Sequence, residues 1–168
     1  MKYKMAAPSN AELHLPAHTS QCLPQAMSDT ENDSITAQFA AIAASQCLRT
    51  GSQEYWTARR AFIANAVNTG FSQNFGYDDS DLRAWQGLCS TVGIDSDELP
   101  NIRACKEALA NVHANIIDLV DAANGRTTCR TFPSAKACAM YTRQTGKFYP
   151  KDEAKENPLL RRFLVEVF

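Results

Sequence analysis

The sequence predicts an all-α fold. Three observations predict it. Apolar residues recur at spacings of three and four from Asp33 onward, no alternating strand pattern lasts four residues, and Ser, Asp, Asn and Gly stand where the apolar stripes begin and end. The expected architecture is a single bundle of about six helices over residues 34–168, behind a disordered N-terminal tail over residues 1–33.

The tail holds three of the seven prolines and one aromatic, Tyr3. Leu13, Leu15 and Leu23 are its large aliphatics, too few to offset the entropy of ordering the segment. Met27 opens the polar run MSDTENDS directly ahead of the first helix, which makes Met27 an alternative start of the protein.

Asp33 or Ser34 caps a first helix carrying Ile35, Phe39, Ile42 and Leu48, and Gly51 follows its end. Ser52 caps a second helix, whose Tyr55, Trp56, Phe62, Ile63, Ala66 and Val67 recur at helical spacing before Gly70. The stretch FSQNFGY reads as a connector. Ser80 caps a third helix with Leu82, Trp85, Leu88, Cys89 and Val92 on one face, and Asp79 and Asp81 favour its positive N-terminal end. A long fourth helix follows, with Pro100 in its first turn. Its stripe is Ile102, Cys105, Leu109, Val112, Ile116, Leu119 and Ala123, and Gly125 ends it. Thr131 or Ser134 opens a fifth helix that stops at Gly146, and Pro150 keeps KFYPK extended. DEAKEN suits one helical turn. Asn157 and Pro158 then start a final helix bearing Leu159, Leu160, Phe163, Leu164, Val167 and Phe168.

Composition narrows the function classes. With 45% hydrophobic and 21% charged residues in 168, the chain is not collagen-like, low-complexity or a disulfide knot. It has no apolar run long enough to span a membrane. The net charge of −1 excludes whole-chain attraction to nucleic acid, yet residues 126–168 carry nine Lys/Arg against four Asp/Glu. The N-terminus has no apolar segment of signal-peptide type, so the expected location is intracellular and cytoplasmic. The six cysteines are accordingly expected as reduced thiols, with Cys47, Cys89 and Cys105 acting as small hydrophobes.

Site chemistry is sparse. Thr145-Gly146-Lys147 imitates the end of a phosphate-binding loop, but Tyr141 and Phe148 occupy positions that need glycine and a hydroxyl, so Gly146 reads as a helix stop. His14, His18 and Cys22 have ligand-like spacing that Pro16 and Pro24 disrupt, so no metal is expected. The acidic runs at 78–81 and 95–98 lack the glycine and distal glutamate of a calcium loop and read as helix caps. His113 could act as a general base with Asp118 or Asp121, or sit at the core boundary with one wet nitrogen. Arg59 and Arg60, one turn from Tyr55 and Trp56, could with them stack on a nucleobase or grip a phosphate, or an arginine could lie over one ring at the core edge.

The stretches EYWTARRAFIANAVNTGF, CSTVGI and TGKFYPKDEAKENPLLRRFLVEVF resemble those of small uncharacterised fungal helical proteins, over about residues 50–168. The resemblance implies an intracellular fungal protein and transfers no activity, cofactor or catalytic residue.

The expected function is a small, soluble, non-catalytic helical protein-interaction module. Its docking surface would be Arg143, Lys147, Lys151, Arg161 and Arg162, meeting an acidic protein partner or a second copy. No cofactor is expected. The alternative is a small helical enzyme or ligand carrier acting as an accessory protein in a metabolic pathway. Its pocket would be lined by Trp56, Phe62, Trp85 and His113. Nucleic-acid binding ranks last.

Overall fold

The computed structural model describes residues 33–167. Seven α-helices are present among them: α1 (Ile35–Ser45), α2 (Gln53–Phe75), α3 (Leu82–Thr91), α4 (Ile102–Leu109), α5 (Ile116–Ala123), α6 (Ala135–Thr145) and α7 (Pro158–Val167). Two two-residue strands, β1 (His113–Ala114) and β2 (Thr131–Phe132), pair antiparallel, with His113 opposite Phe132 and Ala114 opposite Thr131. A 3-10 turn, Lys151–Glu156, takes up most of DEAKEN. The all-α class is borne out. The tail, the Met27 start, the His14/His18/Cys22 triplet and Phe168 lie outside the described residues.

Short polar side chains start these helices because each N-terminus leaves backbone N–H groups without an intrahelical acceptor. Ser34, Ser52, Asp81, Asn101, Asn115, Ser134 and Asn157 each accept such a bond, at 2.9–3.3 Å. At the third helix the cap is Asp81 rather than Ser80. Ser80 instead donates its backbone N–H and its hydroxyl to Asp78, at 2.9 and 2.6 Å. Gly146 ends α6 in the left-handed region (φ 66°), as expected for a helix stop.

Two expectations are corrected. The connector FSQNFGY is helical through Phe75, so α2 has 23 residues; Phe71 and Phe75 extend its buried face. The long fourth helix is two helices. α4 ends at Leu109, the chain runs extended through β1, and Asn115 recaps the chain as α5. The apolar spacing survived the break because Leu109 and Ile116 face the same core from different helices. Asn111, His113 and Asn115 are weak helix formers in the interval, and pairing with β2 gives the backbone of His113 and Ala114 another partner.

α5 is the centre of the core, with Ile116, Ile117, Leu119 and Val120 all buried. α2 crosses it closely at Gly70, where an added Cβ would stand 2.5 Å from Val120 Cγ1. α1 packs on α2, α3 packs on α2 and α4, and Leu159, Leu160 and Leu164 of α7 close the cluster. No described helix is long and apolar enough to cross a membrane.

Polar tethers join distant parts of the chain. Asp121, 1% exposed, accepts the Ile35 N–H at 3.0 Å and pairs with Arg126 at 3.3 Å, which pins the start of α1 to α5. Arg59 donates to the Gly146 carbonyl (2.5 Å), and Arg60 pairs with Asp152 (2.7 Å). Asn157 donates to Ser72 Oγ and the Gly76 carbonyl, both at 3.1 Å. The segment after α6 is therefore stitched along α2, which is where Arg59 and Arg60 are spent.

Cys89, Cys105, Cys129 and Cys138 are free thiols, but Cys47 is disulfide-bonded. The expectation of a fully reduced set is corrected. Cys47 lies beyond α1 in a positive-φ turn (φ 51°) and is exposed, so it was never part of an apolar stripe.

Candidate functional site

The antiparallel ribbon brings the start of α5 against α6, and the chain leaving α6 folds back beside both. Between them lies a cleft of about 350 Å³. α6 supplies Ala135, Cys138, Ala139, Thr142 and Arg143, positions one turn apart on one face. β1 and the α5 cap contribute His113, Asn115 and Ile116. The segment after Gly146 adds Lys147, Phe148, Tyr149 and Lys151, and α7 adds Leu164.

Asn115 holds this arrangement. Its Oδ1 caps α5 at the Ile117 N–H (3.0 Å), and its Nδ2 donates to Thr142 Oγ1 and to the Lys147 carbonyl, both at 2.9 Å. One buried carboxamide thus fixes the start of α5, the inner face of α6 and the turn after it. Tyr149 donates its hydroxyl to Asn68 Oδ1 at 2.7 Å and anchors the far side to α2.

Beneath the cleft is an ionic cluster. Lys147 Nζ donates to Asp118 Oδ1 (2.5 Å) and to the Tyr141 hydroxyl (3.1 Å). Asp118 is 4% exposed, and its second oxygen has no hydrogen-bond partner among the described residues. Burial would push the Lys147 ammonium down, but the Asp118 and Tyr141 hydrogen bonds outweigh it and its pKa is raised. Burial raises the Tyr141 phenol and the Cys138 thiol, and pushes Cys129, beside Asp118, up to about 12. Arg143 is exposed at the mouth and makes no ion pair among the described residues.

Three of the five expected docking residues, Arg143, Lys147 and Lys151, converge on this cleft. Arg161 is exposed on α7 and is not among the lining residues, and Arg162 follows it in the same helix. Of the expected pocket residues only His113 lines the cleft. Trp85 is buried in the core, donating its indole N–H to the Asp79 carbonyl at 2.9 Å, with Lys106 over its ring. Phe62 packs on Phe39, and Trp56 stands 53% exposed against Tyr55. The four residues therefore do not share a cavity. His113 is in a strand and not in a helix. Its Nδ1 is buried without a partner among the described residues, while Asp118 and Asp121 are engaged with Lys147 and with Ile35 and Arg126. No cluster of three His, Cys, Asp or Glu suited to a metal exists among the described residues.

Asn115, Tyr141 and Thr142 were missed as site residues, and Asp118 was expected beside His113 rather than beside Lys147. The pattern Asn115-x-x-Asp118, an N-cap followed three residues later by a carboxylate, was the available signal for Asn115 and Asp118. Compared with protein-family models, curated proteins and solved structures, the chain matches none.

Proposed function

We propose that the chain is a non-catalytic binding module whose counterpart presents an acidic group to the basic cleft. The observation that carries this reading is the convergence of Arg143, Lys147 and Lys151 on one cavity with apolar walls. A recess of this volume, mostly apolar with a few placed charges, is typical of a binding site.

The protonation states favour binding over chemistry. Lys147, Tyr141 and Cys138 all have raised pKa values, so at neutral pH the lysine is an ammonium, the phenol neutral and the thiol protonated. An activated nucleophile requires the opposite arrangement, a lowered thiol or lysine pKa or a base hydrogen-bonded to it. The reading joins the interaction module to the ligand carrier, with the site at α6, the start of α5 and α7 rather than between the second helix and the expected long fourth helix.

The test is a titration with acidic probes: a polyglutamate peptide, phenylbutyrate and phenyl phosphate. Binding of at least one is expected, weakening as salt rises. It should be lost in the double variant Arg143→Glu/Lys151→Glu and unchanged in Arg161→Glu. Equal weakening by Arg161→Glu would place the interaction elsewhere on the basic surface.

A further inference from the structure

We infer that the occupant of the cleft is a small amphiphilic carboxylate, a single anionic group on an apolar body. This rests on the reading of the cleft as the binding site and narrows it to one ligand chemistry.

Size comes first. The cleft holds about 350 Å³ and is walled by α6, α7, the start of α5 and the returning chain, so it is a recess for one small molecule. An extended acidic peptide needs a surface that continues past both ends. The walls then divide by chemistry. Ile116, Ala139, Leu164 and the half-exposed Phe148 are apolar, while Arg143 and Lys151 supply charge with Lys147. A bare inorganic anion would leave the apolar wall uncovered, and a neutral hydrocarbon would leave Arg143 unused.

Charge count decides between carboxylate and phosphate. Lys147 is already held by Asp118, whose other oxygen is buried with no partner among the described residues. An anion entering beside Lys147 meets this carboxylate, and the repulsion doubles for a dianion. Phosphate cradles also draw on backbone N–H groups at a helix start. Here the start of α5 is already served, by the Asn115 side chain at the Ile117 N–H and by the Asp118 carboxylate in its first turn. The Arg143 guanidinium, which makes no ion pair among the described residues, offers a two-pronged donor edge that either anion can use, so the smaller charge beside Asp118 decides for the carboxylate.

The experiment compares phenylbutyrate, phenylbutyramide, phenyl phosphate and polyglutamate on the full chain by calorimetric titration and thermal shift. Phenylbutyrate is expected to bind with one site per chain and raise Tm. The amide should bind about tenfold more weakly or worse, as should phenylbutyrate to Arg143→Gln, the loss of one charge-assisted bond. Arg143 is exposed, so this variant should keep the wild-type Tm. Tighter binding of phenyl phosphate, or binding of polyglutamate with phenylbutyrate silent, would overturn the small amphiphilic carboxylate and leave the basic cleft standing. Equal binding of acid and amide, or silence of every probe, would overturn both readings.

Discussion

Replacing Asn115 by alanine should destabilise the whole domain, because one side chain makes three bonds that no neighbour can replace. Loss of the α5 cap costs about 1 kcal/mol. Each severed bond, to Thr142 and to the Lys147 carbonyl, costs about 1 kcal/mol more. The sum is about 3 kcal/mol, which for a domain of this size lowers Tm by about 10 °C. Urea and thermal unfolding followed by circular dichroism would measure it. Asn115→Ser separates the contributions, since serine caps a helix well but is too short to reach α6 and the following turn. It should recover about 1 kcal/mol and no more. A serine variant as stable as wild type would show that the bonds to α6 and Lys147 contribute nothing. An alanine variant within about 0.5 kcal/mol of wild type would refute the account altogether.

Three further outcomes follow from the packing. Gly70→Ala should cost about 1–2 kcal/mol, because crowding against Val120 outweighs the gain in helix propensity, and adding Val120→Ala should restore part of it. Burial raises the Asp121 carboxyl despite the opposing pull of the Ile35 N–H and Arg126, so folding favours its protonated form. That contribution is complete below the unfolded value of about 3.9 and is lost as pH rises through the folded value. Wild type should therefore lose stability relative to Asp121→Asn between acid and neutral pH; a constant or growing advantage would contradict the sign. Alkylation of native protein at mildly alkaline pH should spare Cys89 and Cys129, both pushed up to about 12 by burial, and unfolding without reductant should expose four thiols but not Cys47. Labelling of Cys47 without reductant would refute its disulfide.

Helix type and helix starts were legible because both are local. Ser52, Ser134 and Asn157 cap where their short polar side chains precede apolar stripes, and Gly146 stops α6 where it should. The break at 110–115 was not legible. Periodicity reports which side of a segment is buried, and Leu109 and Ile116 keep that side in phase across the gap. What interrupts the helix is the pairing of His113 with Phe132, a contact between segments that no window of the sequence holds together. The site divides the same way. Basic residues after position 126 announced a positive surface, and Arg143, Lys147 and Lys151 do meet. Trp56 and Trp85 were joined to His113 through a continuous fourth helix, and the break between α4 and α5 separates them.

The tethers between α2 and the segment after α6 bear on how fast the molecule forms. The bonds from Arg59 to Gly146, Tyr149 to Asn68 and Asn157 to Ser72 close loops of 87, 81 and 85 residues. Helical domains ordinarily fold quickly because their contacts are local, and rates fall as contacts span more of the chain. This chain is helical in composition but long-range in its wiring. The cleft, which needs the segment after α6 for one of its walls, should then take shape only after the core of α2, α3 and α5 has formed.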